Sequence, residues 1–235
     1  TEKAFRRVLE FVSPNVKENE IEAEFIHEFL INQSNGFAYQ PIIASGKNAC
    51  VLHYTKNNKI CKDGDILLMD VGAEYANYCA DMSRSIPVNG RFNKRQKEVY
   101  NSVLKVMKKA IKMLRPNVLL NEYHNEVGQM MQFELLSLGL IDKTDIKNQD
   151  KSFPAYKKYF MHGTSHFLGL DVHDVGDFSN PIKENMVFTC EPGIYIPEEN
   201  LGIRIENDIL VTALEPVDLM KKIPIEVDEI EDLMN

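Results

Sequence analysis

The stretch Asp65-Ile66-Leu67-Leu68-Met69-Asp70-Val71 is an apolar run that follows a turn at Lys62-Asp63-Gly64 and ends on an acid. An apolar run bounded by turn residues predicts a buried strand. Residues 73–81 are predicted to return as a second strand, which would bring Asp81 close to Asp70 across a wide turn. Two carboxylates at that distance repel each other unless a cation lies between them. The alternative places Asp70 in a turn and Asp81 on a solvated edge.

The remaining elements extend outward from this strand. Helical periodicity covers two segments before it and two longer ones after it, and β-rich stretches follow each pair. The helical segments are 1–12, 18–33, Lys94 to Leu114 and about Leu120 to Leu138; the β-rich stretches are Pro41 to Val88 and about Phe160 to Val211. Residues 142–152 are predicted to be a connector, and the acidic tail beyond Ile223 a surface helix or a partly ordered end. This order predicts an α+β fold of two similar halves within a single domain, 1–235.

Three more polar residues of the second β-rich stretch stand in apolar or glycine-bounded segments. His166 lies in a segment with three histidines in twelve residues, interrupted by glycines. Glu191 ends an apolar run and is followed by Pro192-Gly193. Strand alternation places Arg204 and Glu206 on one face. A buried acid is costly without a partner, so a cation is expected here too. The alternative for Arg204 and Glu206 is an exposed ion pair.

Together these five residues, Asp70, Asp81, His166, Glu191 and Glu206, form an oxygen-rich set with one nitrogen donor. Hard donors of this kind suit Mn²⁺ or Mg²⁺, with Co²⁺ or Zn²⁺ also possible, and do not indicate a structural zinc. Four carboxylates exceed the usual needs of one catalytic metal, which favours a pair of divalent ions with bridging carboxylates. Such a pair generates hydroxide from a bridging water near neutral pH and polarises a carbonyl, so the set predicts a metallohydrolase.

Composition excludes several other classes. The 235 residues carry a formal net charge of −8 and show no basic stripe, which argues against a nucleic-acid partner. No run approaches the roughly 18 apolar residues of a membrane span, and no signal peptide opens the chain. The four cysteines, Cys50, Cys61, Cys79 and Cys190, lack CxxC spacing. Free thiols in a reducing compartment are therefore expected, and a cytoplasmic location.

Several of these segments resemble the catalytic domain of the Xaa-Pro aminopeptidases (aminopeptidase P), in the pita-bread metallopeptidase family. The likeness runs over nearly the whole chain. The segments that carry it are Leu52-His53-Tyr54, Asp70 through Asp81, the stretch HGTSHFLGLDVHD at 162–174, Glu191-Pro192-Gly193 and Arg204-Ile205-Glu206. The long histidine stretch separates this subgroup from methionine aminopeptidases, which share the fold and the five ligands. The resemblance implies a pita-bread fold, a dinuclear manganese site, and hydrolysis of peptides with proline at the second position.

The resemblance also implies a role for each residue. Asp70 would chelate one metal, His166 and Glu191 would hold the other, and Asp81 and Glu206 would bridge them. Glu191 would also move a proton toward the leaving proline nitrogen. His53 and His173 would donate to the developing oxyanion. His162 and Arg204 would be walls of the proline pocket, with Tyr195 a weaker candidate.

Three questions remain open at this stage. The family's smaller N-terminal domain is expected to be absent from these 235 residues, which leaves the peptide-length limit open and leaves a homo-oligomer as one form of the assembly. An Xaa-Pro dipeptidase would have the same site. A non-catalytic binding module with the same fold is a third alternative, disfavoured because all five ligand candidates are present.

Overall fold

The computed structural model of the protein describes residues 1–150 and 152–235. The helices are α1 (Glu2–Phe11), α2 (Glu18–Ile31), α3 (Lys94–Ile111), α4 (Leu120–Ser137), α5 (Lys143–Asn148) and α6 (Val227–Leu233). The strands are β1 (Gly36–Phe37), β2 (Ile42–Ser45), β3 (Ile66–Asp70), β4 (Ala73–Tyr75), β5 (Tyr78–Cys79), β6 (Ser83–Pro87), β7 (Val187–Cys190), β8 (Gly193–Ile196), β9 (Leu201–Arg204), β10 (Asn207–Leu210) and β11 (Val217–Asp218). The predicted order, two helices and strands followed by two more helices and strands, is confirmed.

The strand predicted from the apolar run is the centre of the first half. β3 lies between β2 and β6, and both pairings are antiparallel. Its residues 66–69 are buried, as a continuous apolar run requires when both faces of a strand are covered. Asp70 ends the strand opposite Ser83 of β6 and Ile42 of β2. The acid therefore lies at the end of the central strand of this sheet.

The prediction that residues 73–81 form the strand returning beside β3 is wrong. β4 and β5 instead form a hairpin of their own, in which Tyr75 pairs with Tyr78. The two residues between them, Ala76 and Asn77, have φ of 52° and 70°, and positive φ at both central residues is typical of the tight turn of a two-residue hairpin. The strand that returns along β3 is β6. Asp81 lies in the short link between the hairpin and β6.

The second half contains the sheet β7–β10–β11 and the ribbon β8–β9. Its ribbon meets the first half where β9 passes β6. There the hydroxyl of Ser85 donates to the carbonyl of Arg204 and accepts from its N–H, both at 3.1 Å. Gly202 of β9 passes so close to Ala49 that an added Cβ would lie 2.1 Å from its carbonyl oxygen. A side chain at position 202 would separate the halves.

The helices cover the sheets and supply much of the core. α2 packs on β2, and α3 packs on β7, β8 and β9. Apolar side chains such as Phe5, Phe25, Tyr100 and Met107 are fully buried, and burying each side chain of this size contributes roughly 1.5–3 kcal/mol. The helices therefore hold both halves against one core, which fixes the strand ends that carry the acids.

Three further expectations need correction or refinement. The connector at 142–152 contains α5, whose start is capped by Asp142 accepting from the N–H groups of Thr144 and Asp145; residue 151 lies outside the described residues. The early part of the second β-rich stretch, 160–186, is mostly loop, with one bridge between Phe167 and Phe188. The acidic tail forms α6, and one side of it is buried. Within the described ranges, no helix is long and apolar enough to cross a membrane.

Candidate metal centre

One cleft of about 600 Å³ is lined by all the residues that the sequence predicts for the site except Tyr195. It lies where the ends of the strands from both halves meet, the usual place for a cleft between two packed units. The predicted residues that line it are His53, Asp70, Asp81, His162, His166, His173, Glu191, Arg204 and Glu206. Tyr195, the weaker candidate, is fully buried behind this lining.

The two aspartates of the first half share a hydrogen-bond partner, a tyrosine that was not predicted from the sequence. The hydroxyl oxygen of Tyr39 lies 2.6 Å from a carboxylate oxygen of Asp70 and 2.6 Å from one of Asp81. A hydroxyl has only one proton to donate, so it satisfies one carboxylate at a time. Burial raises the pKa of Asp81, the hydrogen bond to His166 opposes this, and the charge of Asp70 adds to the rise, so the pKa is raised on balance. The alternative that Asp81 lies on a solvated edge is wrong, since it is 5% exposed.

Arg204 is buried and forms its ion pair with Asp70, at 2.6 Å. The alternative of an exposed pair between Arg204 and Glu206 is therefore wrong. The other guanidinium nitrogens donate to the hydroxyl of Tyr195 at 2.8 Å and to that of Ser83 at 2.9 Å. With each of its three nitrogens donating once, the guanidinium is held rigidly and keeps Asp70 in place.

Glu206 follows β9 and is 2% exposed. One of its carboxylate oxygens accepts from the hydroxyl of Ser83 at 2.7 Å, and its backbone N–H donates to the carbonyl of Ser83 at 3.0 Å. Burial, then the charges of Asp81 and Glu191, raises its pKa well above the ordinary range. Asp81, His166 and Glu206 each offer a ligand atom within 4.8 Å of the others, a group that could hold a metal ion.

The ring of His166 is oriented for ligation. Its Nδ1–H donates to the carbonyl of Phe167 at 2.9 Å, which leaves Nε2 toward the carboxylates of Asp81, at 3.4 Å, and Glu191, at 3.8 Å. Burial acts to lower the pKa of His166, but the Asp81 carboxylate and the neighbouring groups raise it on balance. A histidine whose Nδ1–H is fixed by a backbone carbonyl is the common arrangement for a metal ligand.

Glu191 lies directly beyond the end of β7. Its backbone N–H donates to the carbonyl of Thr164 at 2.8 Å, which ties it to the histidine segment. Burial raises its pKa to about 8, against the opposing charges of Arg204 and His166. The preceding Cys190 is fully buried, as the alternation of side chains along the strand predicts. Glu191 can therefore hold or release a proton near neutral pH.

His162 is the end of a hydrogen-bond relay. Its Nδ1–H donates to the carbonyl of Gly163 at 2.7 Å, so Nε2 accepts from the hydroxyl of Tyr195 at 2.8 Å. That hydroxyl in turn accepts from Arg204. Burial, then the charge of Arg204, lowers the pKa of His162 to about 3. His162 is thus a neutral, fixed wall of the cleft.

His173 and His53 complete the lining. The ring of His173 packs edge-on against His166, with centroids 4.3 Å apart, and burial, then the charges of His166 and His53, lowers its pKa. His53 is exposed and lies in a loop between β2 and β3. Both are open to a bound ligand in the cleft.

Two polar residues near the site, Tyr39 and Asp208, were not predicted from the sequence. Tyr39 lies in Gly-Phe-Ala-Tyr-Gln, which gives no local signal. Asp208 is buried; one of its oxygens accepts from the backbone N–H of Asp81 at 3.1 Å, and in the described part of the chain its Oδ1 is without a hydrogen-bond partner. Glu206 lies in the link between β9 and β10 whereas Asp208 lies on β10, so strand alternation from Glu206 does not indicate Asp208.

The charges in the cleft fit a bound cation. Four carboxylates converge, and the permanent positive charge of Arg204 is paired with one of them, Asp70. The pKa values of three of the four, Asp81, Glu191 and Glu206, are raised, because burial and mutual repulsion disfavour their ionised forms. Divalent ions would remove that penalty, and four carboxylates with one neutral imidazole are the donors that such ions take.

The fold and this site define a class of two-half α+β proteins with a carboxylate-rich candidate metal centre. Residues 1–213 match the metallopeptidase family M24, and the chain belongs to that family. It is 39% identical over 241 residues to the Xaa-Pro aminopeptidase of Haemophilus influenzae, which covers 97% of the chain and 56% of that relative.

Solved structures extend the likeness. A zinc-substituted aminopeptidase P of Escherichia coli in complex with product superposes with a TM-score of 0.93 at 38% identity, covering all of this chain and 56% of that one. The proline aminopeptidase P II of Yersinia pestis superposes with a TM-score of 0.92 at 38% identity, covering 99% and 56%. The predicted α+β pita-bread fold is thereby confirmed. The chain spans about half the length of the relatives it matches.

Proposed function

We propose that the protein is a metal-dependent aminopeptidase that hydrolyses the N-terminal Xaa-Pro bond of peptides. The observation that carries the proposal is the single cleft lined both by the five ligand candidates and by His53, His162 and His173. The names of the relatives support it, since they include Xaa-Pro aminopeptidases of bacteria and mammals. The 235 residues are proposed to act as one catalytic domain.

Two divalent ions are proposed to occupy the centre, with manganese as the native metal and cobalt, zinc or magnesium as possible substitutes. Asp70 would hold one ion, His166 with Glu191 the other, and Asp81 with Glu206 would bridge both. When bound, such ions lower the pKa of a coordinated water and polarise a carbonyl. The zinc-substituted relative supports the choice of divalent ions.

Glu191 is proposed to move the proton. Without a metal, burial raises the pKa of Glu191 to about 8; bound ions would lower it, so the carboxylate would take the proton from the attacking water and pass it on. Its Oε2 lies 3.7 Å from Nδ1 of His162, at the side of the cleft where the neutral histidine wall stands. A leaving proline nitrogen held against that wall would lie within reach of the Glu191 proton.

The remaining residues would bind and orient the peptide. His53 and His173 are proposed to donate to the oxygen of the scissile carbonyl as negative charge develops on it. The fixed ring of His162 and the planar face of Arg204 are proposed walls for the proline ring. An X-Pro amide is tertiary and lacks the N–H that many peptidases bind. A pocket shaped for the ring removes the need for that donor.

Location and assembly belong to the same proposal. The four cysteines are unpaired, which supports a reducing compartment such as the cytoplasm. Peptides are the proposed partners, and a homo-oligomer is possible.

The test is release of the first residue from an Xaa-Pro-Yaa tripeptide, with and without added manganese after rigorous metal removal. We expect metal-dependent cleavage, near-complete loss in Asp81→Asn, and no loss in Asp63→Asn, an exposed carboxylate outside the cleft. Full activity without metal, or in Asp81→Asn, would overturn the mechanism. Cleavage of Xaa-Pro dipeptides alone would identify a dipeptidase. Absence of both cleavage and tight divalent binding would favour a binding module.

A further inference from the structure

A buried carboxylate lies outside the cleft, at the start of α2. Glu18 is 0% exposed, and among the described residues it forms no ion pair with a lysine, arginine or histidine. Burying an unpaired charge is expensive unless hydrogen bonds replace its hydration. Its position in the first turn of α2 lowers the cost of burying the charge, since the N-terminal end of a helix stabilises negative charge. The rest of the compensation comes from hydrogen bonds.

Five donors converge on this carboxylate, and its two oxygens serve different parts of the protein. Oε1 accepts from the N–H and hydroxyl of Ser45, at 2.9 and 2.7 Å, and from the side chain of Asn48 at 3.3 Å. Oε2 accepts from the hydroxyl of Tyr54 at 2.7 Å and from the N–H of Lys59 at 2.9 Å. The first group belongs to β2 and the turn after it; the second belongs to the loop that carries His53.

Side-chain contacts hold most of that loop, and a backbone bond from the N–H of Glu18 to the carbonyl of Lys59, at 2.9 Å, holds its end. Residues 51–59 contain no helix or strand. Besides the bonds to Glu18, the loop is anchored by Asn57, which accepts from the N–H of Ile43 at 3.0 Å and donates to the carbonyl of Pro41 at 2.9 Å. His53 itself is exposed and lies next to Tyr54, one of the two Oε2 donors. The position of the His53 ring is therefore set by the anchors of the backbone around it.

We infer that Glu18 is a positioning residue for the reaction: its carboxylate ties the His53 loop to the body of the domain and so places His53 beside the substrate. The inference rests on the proposed function. Only a carboxylate accepts from all five donors, because an amide in its place would point N–H groups at other N–H or hydroxyl donors. Glu18→Gln keeps the size of the side chain and removes that ability.

The kinetic test is a double-mutant cycle between Glu18→Gln and His53→Ala on an Xaa-Pro-Yaa peptide, using the full chain with its metal. We expect Glu18→Gln to lower kcat/KM by about tenfold to a hundredfold, mostly through kcat, since a misplacement near 1 Å can cost about a hundredfold. In the His53→Ala background the same change should have almost no further effect. Equal losses in both backgrounds would overturn the inference and assign Glu18 a merely structural role.

Glu231→Gln is the matched control. Glu231 is also a buried carboxylate that accepts from a backbone N–H, that of Phe92 at 2.8 Å, and from Lys97 at 3.0 Å, but it lies on α6. The Glu231→Gln variant should have a lower free energy of unfolding and an unchanged kcat/KM. If Glu18→Gln fails to fold, Tyr54→Phe removes a single Oε2 bond and should give a smaller loss that also disappears in the His53→Ala background.

Hydrogen–deuterium exchange gives a readout independent of activity. The amide of Lys59 and its neighbours in 51–59 should exchange at least about tenfold faster in Glu18→Gln than in wild type, while amides of β3 stay protected. Unchanged exchange in the loop would overturn the anchoring. If the wild-type chain cleaves no Xaa-Pro peptide, the proposed function fails separately, and the exchange result still decides whether Glu18 holds the loop.

Discussion

Raising the pH of the metal-free protein should destabilise it through Glu191. Burial raises the pKa of this carboxyl from its ordinary 4.5 to about 8, so the native state keeps a proton that the unfolded chain has already lost. A raised folded-state pKa contributes stability that is fully present below the unfolded pKa and is lost as the pH rises through the folded pKa. For Glu191 the window runs from about pH 4.5 to about pH 8.

The pKa of His162 changes the free energy of unfolding with pH in the opposite direction. This decides the pH range in which the effect of Glu191 can be measured alone. Burial lowers its pKa from 6.5 to about 3, so its contribution is lost as the pH falls below 6.5 and is constant above it. Between pH 6.5 and about 8, Glu191 acts without His162 over about 1.5 pH units. At about 1.4 kcal/mol per unit, the free energy of unfolding should fall by about 2 kcal/mol through Glu191. The raised pKa values of His166 and Glu206 act in the same direction.

The assay is urea unfolding in the presence of a chelator at several pH values across this range, for wild type and Glu191→Gln. The glutamine variant has no proton to lose at this position, so its free energy of unfolding should fall by about 2 kcal/mol less than that of wild type. Saturating manganese should remove most of the pH dependence of wild type, because the bound ions stabilise the ionised carboxylates. Identical slopes for the two metal-free proteins would show that the native state holds no extra proton at Glu191.

Two other predictions concern the same half of the molecule. Tyr39→Phe removes the hydroxyl shared by Asp70 and Asp81, and should weaken manganese binding by about tenfold or more in calorimetric titration; an unchanged affinity would contradict this. Gly72→Ala would place a Cβ 1.6 Å from the carbonyl oxygen of Ala80. We therefore expect the free energy of unfolding, measured by chemical denaturation, to fall by about 3 kcal/mol or more. A wild-type midpoint would show that the close approach is not required.

The strand that ends at Asp70 was predictable because its signals are local. An apolar run between turn residues has few alternatives to a buried strand. The strand predicted to return beside it was wrong, because Ala76 and Asn77 adopt positive φ and make an early hairpin. Alanine is not a typical residue for the first central position of that turn, so the early hairpin has no clear local signal there. The prediction that Asp81 lies close to Asp70 was nevertheless right, because the hairpin brings the chain back to the same end of β3.

Tyr39 marks the limit of reading the site from sequence. It lies 31 residues before Asp70 and 42 before Asp81, and its segment has neither periodicity nor neighbouring polar residues of the right kind. Its role depends on tertiary packing that brings the segment before β2 over the end of β3. Glu18 differs, since it lies three residues before Ile21 and seven before Phe25 on the buried face of its helix, so helical periodicity indicates its burial. Its hydrogen-bond donors, such as Ser45 and Lys59, are 27 and 41 residues away and come together only through tertiary packing.

The two halves orient each other's acids. Ser83 of the first half donates to Glu206 of the second, and Arg204 of the second half holds Asp70 of the first. Arg204 also donates to Ser83, so the two contacts share one buried junction. A change that separates the halves must therefore misorient a carboxylate on each side. Because divalent ions would bind acids from both halves, their binding free energy adds to the stability of the junction. Metal affinity and the stability of the contact between the halves therefore depend on the same hydrogen bonds.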